Sequence, residues 1–183
     1  HLGSLENILK DMEEEYIDNY KGTEYEKKII KIEDKTEDIK ILNDKFKYYN
    51  EYGGFSEDGK EYIININSQN KLPTTWSHIM ANNKFGTVVT ESNGGYVWYK
   101  NSRLNRITCW HNNSTVNIPS EILYIKDLEN EKIWTPTAMA IPDEKNYNAI
   151  FGFGYAKYVH SSDEIVQELE IFIAKEESVK INI

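Results

Sequence analysis

The densest group of residues that could contact a ligand lies between residues 101 and 110, with the sequence Asn-Ser-Arg-Leu-Asn-Arg-Ile-Thr-Cys-Trp. Arg103 and Arg106 are three residues apart, and each carries a planar fork of hydrogen-bond donors. Trp110 adds a flat apolar face that can stack on a ring or a cation. Aromatic residues make up 13% of the chain, and such rings can stack on pyranose sugars or fill a β-sandwich core. Composition leaves both interpretations open.

Motifs of common enzymes are absent from the sequence. It contains no GxSxG, no HExxH, no glycine-rich phosphate loop before a helix and no EF-hand loop. The four histidines (His1, His78, His111 and His160) are scattered without metal-ligand spacing, so we interpret them as structural. The 30 acidic residues include no pair that stands out for glycoside hydrolysis. We therefore predict no catalytic residue, no metal site and no cofactor.

Cys109 is the single cysteine, so an internal disulfide and a cysteine-rich zinc site are excluded. A free thiol fits a reducing compartment, which leads us to expect a cytoplasmic protein. We predict that the thiol is partly buried and packs as a small hydrophobic group, in preference to acting as a nucleophile with His111 as its base.

The net charge of −9 argues against nucleic-acid binding, which depends mainly on Lys and Arg contacts to phosphates. It is compatible with a neutral polar ligand, and sugars are the obvious class. No segment approaches the roughly 20 apolar residues that a membrane-spanning helix needs.

The first 47 residues differ from the rest of the chain in composition and in the spacing of their apolar residues. An amphipathic helix is predicted from apolar residues at helical spacing, followed by a charged linker over residues 24–40. The apolar positions of that helix are Leu5, Ile8, Leu9, Met12, Tyr16 and Tyr20.

The sequence pattern over residues 48–183 predicts a mainly β domain. Short runs of β-branched and aromatic residues alternate with Asn, Gly, Ser and Asp, as in an antiparallel sandwich or barrel. The predicted strands are Glu61–Asn67, Phe85–Glu91, Gly95–Tyr99, Glu121–Lys126, Lys132–Thr135, Asn148–Phe153, Ala156–Ser161 and Ile165–Ala174. The chain ends while Val179, Ile181 and Ile183 still alternate as in a strand, so we expect the domain to be incomplete at its C-terminus.

Six segments then carry a resemblance to a known family. They are N-x-Y-G-G-F-S-E-D-G-K-E-Y at 50–62, W…A-N-x-x-F-G at 76–86, T-E-S-N-G-G-Y-x-W at 90–98, N-S-R-x-N-R-I-T-x-W at 101–110, W-T-P-T at 134–137 and G-F-G-Y at 152–155. Together and in this order they resemble glycoside hydrolase family 94. The resemblance is greatest to the branch of 1,2-β-oligoglucan phosphorylases and to the C-terminal region of cyclic β-1,2-glucan synthases.

The resemblance implies an N-terminal β-sandwich of the galactose-mutarotase-like supersandwich type, truncated here. In the family an (α/α)6 barrel follows and supplies the catalytic Asp and most of the phosphate pocket. Phosphate, the co-substrate of an inverting phosphorylase or glycosyltransferase, would thus bind outside this fragment.

In this family the sandwich packs on the barrel, helps to form a homodimer and brings one loop near the partner subunit's sugar site. The resemblance implies the following substrate-binding candidates: Asn101, Arg103, Arg106 and Trp110, with Trp76, Tyr96 and Trp98 behind them. The sequence departs from the family at Leu104, where an acid is common, and at Cys109 and Thr75, where proline is common. A structural alternative stays open, in which the arginines brace loops against carboxylates and the tryptophans are core.

Three functions follow from these expectations. The favoured one is a structural and dimerising domain of a β-glucan phosphorylase or cyclic β-1,2-glucan synthase-like protein, inactive alone. The second is a self-sufficient carbohydrate-binding module for β-glucan oligosaccharides. The third is a small hydrolase or mutarotase.

Overall fold

The structure, a computed structural model, describes residues 46–67, 71–111, 113, 116–162 and 165–183. These residues form eleven β-strands. In chain order they are β1 (Gly53–Phe55), β2 (Tyr62–Ile66), β3 (Ser77–Ala81), β4 (Phe85–Thr90), β5 (Gly95–Tyr99), β6 (Ile125–Lys126), β7 (Ile133–Trp134), β8 (Tyr147–Gly152), β9 (Tyr155–Ser162), β10 (Ile165–Ile173) and β11 (Lys180–Asn182).

The strands form three antiparallel sheets. A six-stranded sheet has the order β1-β2-β8-β9-β10-β11, a three-stranded sheet has the order β3-β4-β5, and β6 pairs with β7. Alternation of side chains places one face of each larger sheet toward a shared interior. On β9, for example, Ala156, Tyr158 and His160 are buried while the residues between them are partly exposed.

One core joins the two larger sheets. The strands that supply its buried residues belong to both sheets: Ile64, Met80, Val89, Ala149, Ala156, Tyr158, Leu169 and Ile171. Tyr158, on β9 of the six-stranded sheet, also donates a hydrogen bond of 2.7 Å from its hydroxyl to the Thr90 carbonyl on β4. Two sheets packed around one apolar layer make a β-sandwich.

The predicted antiparallel β-sandwich is therefore confirmed. Gly95–Tyr99 was predicted with its observed bounds, and six other strands differ from their predicted bounds by one residue at one or both ends. The prediction for Glu121–Lys126 was wrong for its first four residues, because only Ile125–Lys126 pair with β7. The predicted amphipathic helix and the charged linker over residues 24–40 lie outside the described residues.

Candidate functional site

The loop after β5 is shaped by Asn101. Its side-chain oxygen accepts hydrogen bonds from the backbone amides of Arg103 (3.0 Å) and Leu104 (2.8 Å). Its carbonyl accepts another from Asn105, also at 3.0 Å. Asn side chains commonly stabilise turns in this way. Asn101 thus fixes the loop that carries both arginines.

Arg106 is held against two aromatic rings. Its guanidinium carbon lies 4.8 Å from the centroid of Trp110 and 5.2 Å from that of Tyr96. Its Nε donates a hydrogen bond of 3.1 Å to the Ser102 carbonyl. Each exposed cation–π contact contributes about 0.5–1 kcal/mol. The guanidinium is therefore kept in one place on the loop surface.

Trp98 extends the same row of rings. Its ring centroid lies 5.6 Å from that of Tyr96, which lies 5.1 Å from that of Trp110. The indole of Trp98 covers Gly86 on the neighbouring strand, where a Cβ atom would come within 2.3 Å of the ring. Only glycine leaves room for the indole there. We call Tyr96, Trp98, Arg106 and Trp110 the arginine–aromatic cluster.

The other predicted residues lie elsewhere. Arg103 is exposed on the loop beside Leu104, which is 82% exposed. Trp76 is outside the cluster and packs against the core, with its ring 6.0 Å from Tyr52 and 5.9 Å from Tyr62. The structure thus brings four of the seven candidates together and places Asn101 and Arg103 on the same loop. Their contact with sugar stays a prediction.

Cys109 is exposed, so the prediction of a partly buried thiol was wrong. The loop from 101 to 111 runs over the surface, and among its residues only Thr108 has intermediate burial. A thiol on such a loop has no core to join. Among the described residues, no group of three His, Cys, Asp or Glu side chains is placed to hold a metal ion.

A groove of about 230 Å³ adjoins the cluster at Trp110. We call it the Trp110 groove. Its lining combines aromatic, aliphatic and amide side chains: Thr75, Ser77, Val88, Thr90, Gly95, Tyr96, Trp110, His111, Asn113, Val116, Asn117 and Ile118.

A larger groove of about 450 Å³ shares Thr75 and Asn117 with it. We call this one the Glu91 groove. It is lined by Ile66, Asn67, Lys71, Leu72, Pro73, Thr74, Thr75, Glu91, Ser92, Asn117, Ala138, Met139, Pro142, Asp143 and Tyr147.

Glu91 is the buried carboxylate of this larger groove, with 9% of its surface exposed. One carboxylate oxygen accepts a hydrogen bond from the Trp76 amide (3.0 Å). The other accepts from Asn117 Nδ2 (3.2 Å) and Ser92 Oγ (3.3 Å). Burial raises the pKa of Glu91, and the hydrogen bonds only partly offset this. All three donors are neutral groups.

Asp143 is the second carboxylate at the Glu91 groove. Its Oδ2 lies 3.0 Å from Nε2 of the buried His160, whose Nδ1 lies 2.9 Å from the Asn146 carbonyl. Burial alone would raise the pKa of Asp143. Hydrogen bonds from Ser162 and from the Lys145 amide, together with the charge of His160, outweigh burial and lower it.

Sequence reasoning missed this groove. Glu91 and Asn117 are 26 residues apart, and Asp143 follows a further loop, so no local pattern joins them. The available signal was an acidic residue directly after the buried strand β4, where an ionised side chain is costly without hydrogen bonds.

Comparison with known proteins identifies the family of the chain. The family model described as "Glycosyl hydrolase 94, supersandwich domain" matches residues 60–183, which is more than half of the chain. The chain belongs to the glycosyl hydrolase 94 family. The family identified from the sequence motifs, and its N-terminal β-sandwich, are thereby confirmed.

Three relatives illustrate the match. Cyclic beta-(1,2)-glucan synthase NdvB of Rhizobium meliloti (strain 1021) is 31% identical over 120 residues, covering 64% of this chain and 4% of the relative. N,N'-diacetylchitobiose phosphorylase of Vibrio proteolyticus is 29% identical over 134 residues, covering 71% of this chain and 16% of the relative. A 3-O-beta-D-glucopyranosyl-beta-D-glucuronide phosphorylase of Paenibacillus borealis is 23% identical over 125 residues, covering 68% and 15%.

This glycosyl hydrolase 94 supersandwich domain therefore spans only a small share of the length of its relatives. In the part of the chain that the structure describes, no helix combines the length and apolar character needed to cross a membrane.

Proposed function

We propose that this supersandwich domain is a structural and dimerising part of a β-glucan phosphorylase or a cyclic β-1,2-glucan synthase-like protein, and that it is inactive alone. The observation that carries the proposal is the loop from 101 to 111. Internal hydrogen bonds and ring contacts fix its shape, yet its apolar side chains face outward. Leu104 is 82% exposed, Ile107 58% and Trp110 37%.

Such a loop suits contact with a second protein surface. When a partner covers exposed apolar groups, the free energy of the complex falls by about 25 cal/mol for each Å² of apolar surface that is removed from water. Arg103, exposed at the same loop, would supply hydrogen-bond donors to a sugar held by that partner. The partners we propose are an (α/α)6 barrel of the parent protein and a second copy of the parent in a homodimer.

The role of the isolated domain is tested by turnover. We expect the 183-residue chain to release no product from 1,2-β-glucan oligomers in the presence of phosphate, because the catalytic Asp and the phosphate pocket belong to the proposed barrel. The measurement is the release of glucose 1-phosphate. Turnover that is lost on substitution of one acid or histidine would overturn the proposal in favour of a self-sufficient hydrolase or mutarotase.

A self-sufficient carbohydrate-binding module is the second candidate, favoured by the Trp110 groove beside the arginine–aromatic cluster. Titration of the chain with 1,2-β-glucan oligomers, followed by tryptophan fluorescence, separates the two. Saturable binding that Trp110→Ala abolishes would support the binding module. If no binding depends on Trp110, the structural role is supported.

A further inference from the structure

The Glu91 groove has the size and composition of a small-molecule site. Its volume of about 450 Å³ lies in the range of roughly 300–1,000 Å³ that is common for ligand pockets. Apolar side chains, among them Leu72, Pro73 and Met139, contribute one part of the lining. Carboxylates, amides and hydroxyls contribute the rest. Such sites bind through apolar contact and take their specificity from a few fixed polar groups.

The polar groups are fixed before any ligand arrives. Three neutral donors hold the carboxylate of Glu91, as described above. The amide of Asn117 is held in turn, since its Nδ2 lies 2.7 Å from Thr90 Oγ1 and 2.6 Å from Ser92 Oγ. Asn67 is fixed by a hydrogen bond of 2.8 Å to the Asn146 side chain. Because these side chains are already held in place, a ligand that binds them loses little free energy to the ordering of side chains.

Charge selects the class of ligand. Two carboxylates, those of Glu91 and Asp143, line the groove, and among the described residues the only basic side chain in its lining is the exposed Lys71. Anions are therefore disfavoured. Carboxylate oxygens accept hydrogen bonds and donate none when ionised, so a ligand rich in hydroxyl donors satisfies them.

We propose that the Glu91 groove binds a neutral sugar unit, at a site separate from the arginine–aromatic cluster. Hydroxyl groups of the sugar donate to the carboxylates, and its C–H face contacts Leu72 and Pro73. The inference does not depend on the proposed role of the loop, because neither Arg103 nor any residue of the cluster lines this groove.

The test is a titration of the 183-residue chain by isothermal calorimetry and ligand-observed NMR. The ligands are glucose, the 1,2-β-linked glucose disaccharide and glucuronate. We expect saturable binding of the two neutral sugars and binding of glucuronate that is weaker by about tenfold or more. Thr74→Trp, which places an indole in the groove from an exposed position, should remove binding. Lys126→Trp, exposed on β6 and outside both grooves, should not.

Two further variants test whether the groove acts independently of the loop and whether the charge of Glu91 determines the ligand preference. When Trp110 is also replaced by Ala, Thr74→Trp should still remove the remaining binding of neutral sugar, so the groove and the loop succeed or fail separately. Glu91→Gln keeps the size and one acceptor of the side chain but removes its charge, and should narrow the preference for glucose over glucuronate. The proposal is overturned if no neutral sugar binds, if Thr74→Trp binds as the unaltered chain does, or if glucuronate binds as tightly as glucose.

Discussion

Glu91 is a carboxylate enclosed by neutral donors, and its pKa is raised from the ordinary value of 4.5 mainly by burial. The unfolded chain therefore releases this proton at a lower pH than the folded domain does. In the window above 4.5 the folded state binds more protons than the unfolded state. The free energy of unfolding must then fall as the pH rises through that window.

The expected result is that Glu91→Gln removes this part of the pH dependence. Urea unfolding of both proteins at intervals between about pH 4 and pH 7, and of the Asp143 control from about pH 2 to pH 7, measures it. Relative to the variant, the unaltered protein should lose stability as the pH rises. Asp143→Asn is the control of opposite sign. The pKa of Asp143 is lowered from 3.8, so the stability that its charge contributes is present at neutral pH and lost on acidification below that value. A constant difference between Glu91→Gln and the unaltered protein would contradict the prediction.

The sequence predicted the positions of some site residues and failed to predict those of others. The arginine–aromatic cluster was predictable in part because Arg106 and Trp110 are four residues apart, and Tyr96 and Trp98 lie on the strand just before the loop. Trp76 was not, because its place against the core depends on strands that are distant in sequence. The exposure of Cys109 was also missed, since residue type alone favours burial for cysteine.

Some residues of the family motifs have visible structural roles. Asn82 accepts hydrogen bonds from Lys84 N (2.9 Å) and Phe85 N (2.8 Å), which closes the turn between β3 and β4. Its Nδ2 also donates to the carbonyls of Ala174 and Glu177, each at 2.8 Å. One side chain thus ties a turn of the three-stranded sheet to the turn after β10.

At the scale of elements, alternation identified the long strands well and missed some of the short ones. β9 and β10 have eight and nine residues, enough for a clear period of two. β1 was missed because its three residues begin with two glycines, which carry no pattern. β3 was missed because its sequence SHIMA places an isoleucine outward, 65% exposed, beside the buried Met80. Its true pattern appears only once the sheets are packed.

The adjacent residues of β3 provide a matched test of the sandwich core. Met80 is 2% exposed and belongs to the core cluster, whereas Ile79 is on the outer face. Met80→Ala should lower the free energy of unfolding by about 2–5 kcal/mol, because it removes buried methylene groups and leaves a cavity between the sheets. Ile79→Ala, one residue away, should change it by about 0.5 kcal/mol or less. Thermal or urea unfolding measures both. Equal costs would mean that β3 does not pack as described.

At the scale of the whole molecule, the six-stranded sheet has an open side within the described residues. β11 ends the strand order after β10. Glu170 and Ile183 exchange two backbone hydrogen bonds, both of 2.9 Å. Since such pairs alternate along an antiparallel ladder, the N–H groups of Lys180 and Asn182 point away from β10. Unpaired groups on an edge strand favour pairing with another chain.

We therefore expect the 183-residue chain to self-associate through β11. Asn182→Pro removes one outward N–H and leaves the bonds between β10 and β11 in place, so it should lower the association constant without loss of the fold. Asn182→Ala keeps the N–H and is the matched control. Light scattering over a range of concentrations, with circular dichroism to check the fold, gives the result. A monomer at high concentration, or equal association of the proline and alanine variants, would show that this edge is not where copies meet.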